Sequence, residues 1–386
     1  MTKIKTNRNN TNNVPPLRFP EFSGEWRYSL LGNECNILCG YPFDGQDMQE
    51  SSGNVKLLRG INITEGEIRH SNELDRYYSG DISKLGKYIL KEGDLVIGMD
   101  GSKVGRNSAI LTICEQGSYL VQRVCRIRSQ KHNVEYIFQH INNSKFHKYV
   151  DSIKTASAIP HISQSDIQDY TISFPPTAEE QIKITSLLSL LDARIATQNK
   201  IIEKLETLIK ALSHKLTTQQ RPNTRLKDCL THHSSTLLEN DVKGIGQYPV
   251  YGATGICGYM DKYEISGDSI LIIKDGASVG STAYATGRYS TIGTLNYLRT
   301  TQECYLLPYI YYSLKAFDFR PYITGMAIPH IYFKDYSKAK IWCPAVAEQK
   351  RIATTLRTMD TKLQIEHKIL RNLILQKQYL LSNLFI

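Results

Sequence analysis

Several features are missing from this 386-residue sequence, and each absence removes a class of protein. No apolar run approaches the ~20 residues that a membrane-spanning helix needs. The first thirteen residues (MTKIKTNRNNTNN) are polar and lack an apolar h-region, so a disordered N-terminus over 1–13 is expected there, not an export signal. Eight cysteines are scattered along the chain, and only Cys35 and Cys39 lie close together. With no second pair there is no zinc-site spacing; free thiols in a reducing cytoplasm are the expectation, and no metal ligands are assigned.

Catalytic signatures are missing as well. Phe174-Pro175-Pro176 lacks the Asn or Asp that a base-methylation motif places before its prolines. Gly244-Ile245-Gly246 is a lone Gly-x-Gly in a turn-rich stretch. Gly101-Ser102-Lys103-Val104-Gly105 has neither the spacing nor the Lys-Ser/Thr end of a P-loop. Glu348-Gln349-Lys350 and Glu366-His367-Lys368 mimic the Glu-x-Lys of a nuclease, but with no strand-borne Asp ahead of them they read as solvated helix face. No catalytic residue and no cofactor is assigned to this chain.

What is present is an ordinary globular composition, 41% apolar and 22% charged, long enough for two or three domains. The net charge is +10, which suits a polyanionic partner, although a ribosomal or membrane-surface protein would share it. Twenty-four tyrosines and 47 Lys and Arg supply groups able to stack on bases and neutralise phosphates, but tyrosine is also common in strands.

The strongest pattern is a pair of heptad stripes. The first runs Ile184, Leu188, Leu191, Ile195, Gln198, Ile202, Leu205, Ile209, Leu212, Leu216. The second runs Ile352, Leu356, Met359, Leu363, Glu366, Leu370, Leu373, Lys377, Leu380, Leu384, each member 168 residues after its counterpart. Apolar residues every 3.5 positions make a coiled-coil seam, and a fixed offset means a duplicated unit. Acidic residues in the first turns and proline just before them mark the helix starts, and Thr217-Thr218-Gln219-Gln220-Arg221-Pro222 ends the first helix as a polar linker. A helix with one apolar seam needs a partner. The two most simply pair antiparallel with each other, through Ile184, Leu188, Leu191, Ile195, Ile202 and Leu205 against Ile352, Leu356, Met359, Leu363, Leu370 and Leu373; pairing with a second copy is the alternative.

The rest of each half repeats too. Asp100-Gly101-Ser102-Lys103-Val104-Gly105 has its echo in Asp275-Gly276-Ala277-Ser278-Val279-Gly280, each after a β-branched strand segment. Helical stretches over 134–150 and 307–317 follow, with Tyr136 and Tyr309 near their starts. Ala158-Ile159-Pro160-His161-Ile162 then recurs letter for letter as Ala327-Ile328-Pro329-His330-Ile331, and strands over 170–174 and 339–343 lead to Pro175 and Pro344. The glycine turns are either anion-binding nests of backbone N–H groups or plain tight turns. His161 and His330 are either packing residues or phosphate contacts, with no orienting partner that would make a general base.

Val14-Pro15-Pro16-Leu17-Arg18-Phe19-Pro20-Glu21-Phe22-Ser23-Gly24-Glu25-Trp26 resembles the start of specificity (S) subunits of type I restriction-modification systems. The helix openings Glu180-Gln181-x-x-Ile184-x-x-x-Leu188-x-x-Leu191-Asp192 and Glu348-Gln349-x-x-Ile352-x-x-x-Leu356-x-x-Met359-Asp360 resemble the same family's helical regions, and the resemblance runs over nearly the whole chain. It implies two α/β (α+β) target recognition domains, 14–177 and 218–344, joined by two long antiparallel coiled-coil helices, 178–217 and 345–386, in a pseudo-twofold repeat. It further implies a bacterial cytoplasmic protein that binds double-stranded DNA with a bipartite target. It would dock two modification (methyltransferase) subunits, which bind S-adenosylmethionine, and join restriction/translocase subunits that use ATP and Mg. The chemistry would then reside in the partners. A coiled-coil scaffold with protein-binding globular domains and no DNA readout is the alternative.

Since the two halves would read different half-sites, shared features are expected to be scaffold or backbone contacts, and base readers to lie where the halves differ. In the first half these are Arg59, Asn62, Arg69, Arg76, Arg106 and Arg123; in the second, Tyr248, Tyr251, Lys262, Arg288 and Asn296. Arg and Asn are favoured for bidentate contacts to guanine and adenine. Lys103 and Ser278, in the turns, are expected to meet phosphate, as are His161 and His330 if they touch DNA at all.

Overall fold

A computed structural model describes residues 13–50, 55–242 and 244–386. The disordered segment expected over 1–13 therefore lies outside the described residues except for Asn13, whose carbonyl accepts from the Trp26 N–H at 2.7 Å. The chain forms two compact units. One takes the chain up to Ala196 together with Arg371–Ile386; the other is Thr197–Leu370. The divide falls inside both long helices, Ala178–Thr217 and Val346–Asn383, because one face of each half-helix packs into the core of the α/β elements beside it.

In the first unit, strands Asn36–Cys39, Val124–Arg128, Leu95–Gly98 and Ser108–Ile110 form an antiparallel sheet in that order. Alternation along Leu95–Gly98 sorts the two faces. Leu95 and Ile97 join Trp26, Ile127, Tyr136 and Phe146 in the main core, whereas Val96 packs with Leu58, Leu111 and Leu120 on the other side. A second sheet pairs Val55–Leu58 parallel to Tyr119–Leu120 and antiparallel to Arg76–Tyr78. The helical stretch expected over 134–150 is two helices, Val134–Ile141 and Ser144–Ile153. Asn143 makes the break: its side chain caps the second helix at Lys145 N and donates to the Leu381 carbonyl at 3.0 Å.

The second unit repeats this plan. Strands Leu230–Ser234, Leu295–Thr300, Ser269–Ile273 and Thr282–Ala285 form the equivalent sheet, with Ile270 and Ile272 on the main core and Leu271 and Ile273 on the opposite face. Tyr248–Gly252 runs parallel to Arg288–Thr291 and antiparallel to Gly255–Met260. The strands expected over 170–174 and 339–343 are Thr171–Phe174 and the shorter Lys340–Ile341.

The first long helix has 40 residues, about 60 Å at ~1.5 Å each. Within each unit the half-helices run antiparallel. In the first, Ile184 and Leu188 share a core with Leu381 and Leu384, and Asp192 pairs with Lys377 at 2.5 Å. In the second, Gln198 meets Glu366, and Leu212 and Leu216 pack on the core that holds Ile352 and Leu356. Of the seam positions, Ile184, Leu188, Leu191, Ile202, Ile352, Leu356 and Leu373 are buried. Ile195, Leu205, Met359, Leu363 and Leu370 are half-buried.

Candidate nucleic-acid interface

Two repeated motifs meet at one place in each unit. The Asp-Gly turn follows the buried central strand, with Gly101 at φ 89° and Gly276 at φ 102°, conformations that favour glycine. Each turn is clamped by the repeated pentapeptide. Pro160 O accepts from Gly101 N at 3.0 Å and Pro329 O from Gly276 N at 2.9 Å; Ile162 N donates to Met99 O at 3.0 Å and Ile331 N to Lys274 O at 2.9 Å. The closing glycines are tight as well: a Cβ on Gly105 would lie 2.8 Å from Val150, and one on Gly280 2.9 Å from Phe319.

This geometry decides between the two readings of the turns. The N–H groups of Gly101, Val104, Gly105, Arg106 and Asn107 all donate to backbone carbonyls, as do those of Gly276, Val279, Gly280 and Ser281. Most of the donors an anion nest would present are therefore occupied. The histidines are held locally but differently: His161 Nδ1 lies 2.9 Å from Thr155 Oγ1, while His330 Nδ1 faces the Ile328 carbonyl at 3.2 Å.

Around the first turn the structure gathers several of the expected residues. Arg123 closes the turn before strand Val124–Arg128 with φ 69°, the one positive-φ non-glycine among the described residues. Its carbonyl accepts from Met99 N at 2.9 Å, and its guanidinium, 57% exposed, lies 3.9 Å from Asp100. Lys103 reaches Glu65 at 2.8 Å, tying the turn to the loop that carries Arg59, Asn62, Arg69 and Arg76. Arg69 is exposed and in no ion pair among the described residues. Arg76 donates to the Glu73 and Asp75 carbonyls and pairs with Glu50; Arg59 donates to Leu74 O at 2.7 Å, and burial next to Arg76 lowers its pKa. Arg106 stands apart, paired with Asp151, whose carboxyl Arg106 and Lys154 together hold down to about 2.

Two candidates are not at the surface. Asn62 is fully buried: it accepts from Arg59 N and donates to Arg69 O and Asp75, so it holds the arginine loop together and presents nothing to a base. Asn296 is 5% exposed in the central sheet and accepts from Ser234 at 2.7 Å. A short amide that closes a loop or bridges two strands has its hydrogen bonds satisfied internally.

In the second unit Tyr248, Tyr263 and Arg288 form a cluster. The two rings are 4.9 Å apart and Arg288 lies 5.1 Å over Tyr263, with hydrogen bonding to Tyr248 raising its pKa. Lys262 is exposed beside it and Ser278 is exposed in the Asp-Gly turn. Tyr251 is half-buried and edge-on to Tyr289 at 5.5 Å, and burial pushes its hydroxyl up. Sequence reasoning missed Tyr263, whose neighbour Tyr248 was the only signal available.

Other repeated letters turn out to be braces. Gln181 accepts from Asn133 N at 3.3 Å, and Gln349 accepts from Leu306 N at 2.9 Å, so each ties the start of a long helix to the start of the short helix beside it. Asp192 and Asp360 receive Gln139 and the Tyr312 hydroxyl from those short helices. Tyr136 and Tyr309 donate to Ser173 O and Trp342 O. In the first unit Arg18 adds a bidentate pair with the fully buried Glu180, at 2.7 and 2.8 Å.

The two units define a duplicated α/β module carried on two long, antiparallel helices. A family model described as the type I restriction modification DNA specificity domain matches residues 25–207 and again residues 223–374. The chain belongs to that family. The EcoBI type I specificity subunit of Escherichia coli is 27% identical over 192 residues, 48% of this chain and 37% of that relative, so the match spans well under two thirds of the relative's length. The putative type I specificity subunit S.MpnORF638P of Mycoplasma pneumoniae is 25% identical over 259 residues, 61% of this chain and 68% of that one. Among solved structures, the S subunit of a type I restriction-modification system from M. genitalium aligns with a TM-score of 0.66 at 17% identity, covering 97% of this chain and 99% of that one. A structure concerning complex assembly and conformational transition of the type I R-M system aligns with a TM-score of 0.55 at 16% identity, over 92% of this chain and 96% of that one. These alignments match the duplicated fold. No helix among the described residues is long and apolar enough to cross a membrane.

Proposed function

We propose that each unit reads one half of a bipartite site in double-stranded DNA, and that the chain is the specificity subunit of a type I restriction-modification complex. The observation that carries this reading is a common scaffold displaying different side chains. The same clamped turn stands in both units, with Arg123 beside it in one and Thr294 at the equivalent place in the other, where Lys274 N donates to Thr294 O at 3.0 Å. Scaffold sameness suits one docking geometry; side-chain difference suits two half-sites. Arg69 and Arg123 in the first unit, and Lys262 and Arg288 in the second, are the base readers this reading favours; Lys103 and Ser278 are phosphate contacts.

Methyl transfer and DNA cleavage belong, on this reading, to modification and restriction/translocase subunits carrying S-adenosylmethionine, ATP and Mg. The long helices dock the modification subunits and set the unread spacer. Exposed Leu190, Leu208, Leu375 and Tyr379 on their outer faces offer apolar surface for that docking.

The test is a domain exchange. Replacing the first half by that of a relative and mapping methylated sites is expected to change one half of the target only; a change in both halves sinks the modular reading. Inserting a turn-sized segment near Thr217 is expected to lengthen the spacer and leave both half-sites intact. A scaffold without DNA readout would show no salt-dependent duplex binding.

A further inference from the structure

The repeated pentapeptide contains more than its clamp requires. Of the letters Ala-Ile-Pro-His-Ile, the last three have internal work. The proline carbonyls hold the Asp-Gly turns, and the histidine backbones bridge Thr155 in one unit and Thr324 in the other. Ile162 and Ile331 are core residues, 4% and 1% exposed. The side chains of the first two letters have none. Ile159 is 63% exposed and Ile328 66%, and the alanines before them are exposed too.

A single exposed isoleucine means little on its own. Two of them, kept at the same loop position of two modules whose flanking loops differ, need a shared reason. Packing cannot supply it, because neither side chain is packed. An exposed cation also lies on the histidine side of each pentapeptide: Arg123 is 3.9 Å from Asp100, which bridges to His161, and Lys334 is 5.2 Å over the Tyr332 ring, itself 5.0 Å from His330. A loop with an apolar tip and a cation at its base matches a nucleic-acid groove, where sugar edges and base faces are apolar and phosphates line the rim. The scaffold at this point is common to both modules, so the contact it makes is common as well.

We propose that Ile159 and Ile328 are paired, sequence-independent contacts to duplex DNA, each laid against the wall of a groove beside the half-site its module reads. The inference rests on the DNA-reading function proposed above. It assigns these side chains to the duplex and not to a protein partner, since the apolar surface suited to docking another subunit lies on the long helices.

The experiment uses the full chain assembled with its modification subunits, and two duplexes: one carrying the target found by methylated-site mapping and one lacking it. Ile159→Ser and Ile328→Ser are expected to weaken binding to both duplexes several-fold each, and about tenfold or more together. The slope of affinity against salt should stay unchanged, because no phosphate contact is removed. Ile159→Leu and Ile328→Leu should restore binding. Wild-type affinity in the serine variants overturns the proposal, as does a loss confined to the target duplex. Impaired assembly with intact binding per assembled complex would place a protein at the loop and overturn it equally. If the wild-type complex itself binds no duplex, it is the parent reading that fails.

Discussion

Gln198 and Glu366 hydrogen-bond to one another, the Gln198 amide donating to the Glu366 carboxylate at 2.6 Å and to its main-chain carbonyl at 3.1 Å. They are also the same position of the internal repeat, 168 residues apart. Two antiparallel helices bring repeat-related positions face to face at one level only, and here that level is the polar one. A polar residue in an apolar seam specifies register and direction while lowering stability. Slippage by a heptad would leave Gln198, 8% exposed, opposite a hydrocarbon side chain.

Gln198→Leu alone is expected to destabilise the chain by ~1–3 kcal/mol, since it leaves a half-buried carboxylate without its donor. Gln198→Leu with Glu366→Leu should recover that loss or exceed wild-type stability. Thermal unfolding of the three proteins checks this, and a double variant no better than the single would mean that the pair is not a register device.

Gln349 is 1% exposed and satisfies three backbone groups: Leu306 N, Cys304 O and Pro344 O, at 2.8–2.9 Å. Its counterpart Gln181 makes longer bonds, 3.3 Å to Asn133 N and 3.2 Å to His132. Buried groups left unsatisfied cost ~1–3 kcal/mol each. Gln349→Leu should therefore destabilise more than Gln181→Leu in denaturant melts, although the two occupy equivalent places. Equal losses would contradict the geometry.

The seam, the duplication and the two-module α/β plan were legible because they are periodic, and periodicity survives without knowledge of contacts. The clamp between Gly101 and Pro160 was not legible, although both motifs were visible, because its partners lie far apart in sequence. Asn62 and Asn296 look like base readers in the sequence because a buried, satisfied amide has the same letter as an exposed one. Gln181, Gln349, Asp192 and Asp360 were visible as repeated letters. Their bracing role emerges only once the short helices fold back on the long ones.

His140 is fully enclosed, 4.5 Å from the Phe385 ring, and burial, with Lys145 adding to it, pushes its pKa down to about 3 from an ordinary 6.5. The folded chain therefore binds fewer protons than the unfolded one between those values. Stability should fall as pH drops below ~6.5, with a slope of at most ~1.4 kcal/mol per unit, and the loss from this group should be complete near its folded pKa. Glu34, held low by Arg27, contributes only at more acidic pH, below its ordinary 4.5. His140→Leu is expected to lessen the decline from pH 6.5 down to about 3 and to leave the loss that Glu34 contributes below 4.5; urea melts across that range decide it, and an unchanged slope would remove His140 from the account.

Arg123 offers the cleanest separation of fold from reading. Its φ of 69° is a conformation glycine adopts freely and other residues adopt at a cost of about 1 kcal/mol. Among the described residues its guanidinium has one ion pair, the long 3.9 Å approach to Asp100. Arg123→Gly should leave the melting midpoint unchanged or slightly higher, while relaxing specificity at one base position of one half-site by ~1–3 kcal/mol. Asn62→Ala should do the reverse, lowering stability by ~1–3 kcal/mol as Arg69 O and Asp75 lose their donor, and shifting no base preference beyond that loss. Site-selection on randomised duplexes alongside thermal melts separates the two. Arg123→Gly would refute the assignment if it unfolded the unit or weakened every sequence alike, because a backbone brace or a phosphate contact would give those results and a base reader would not.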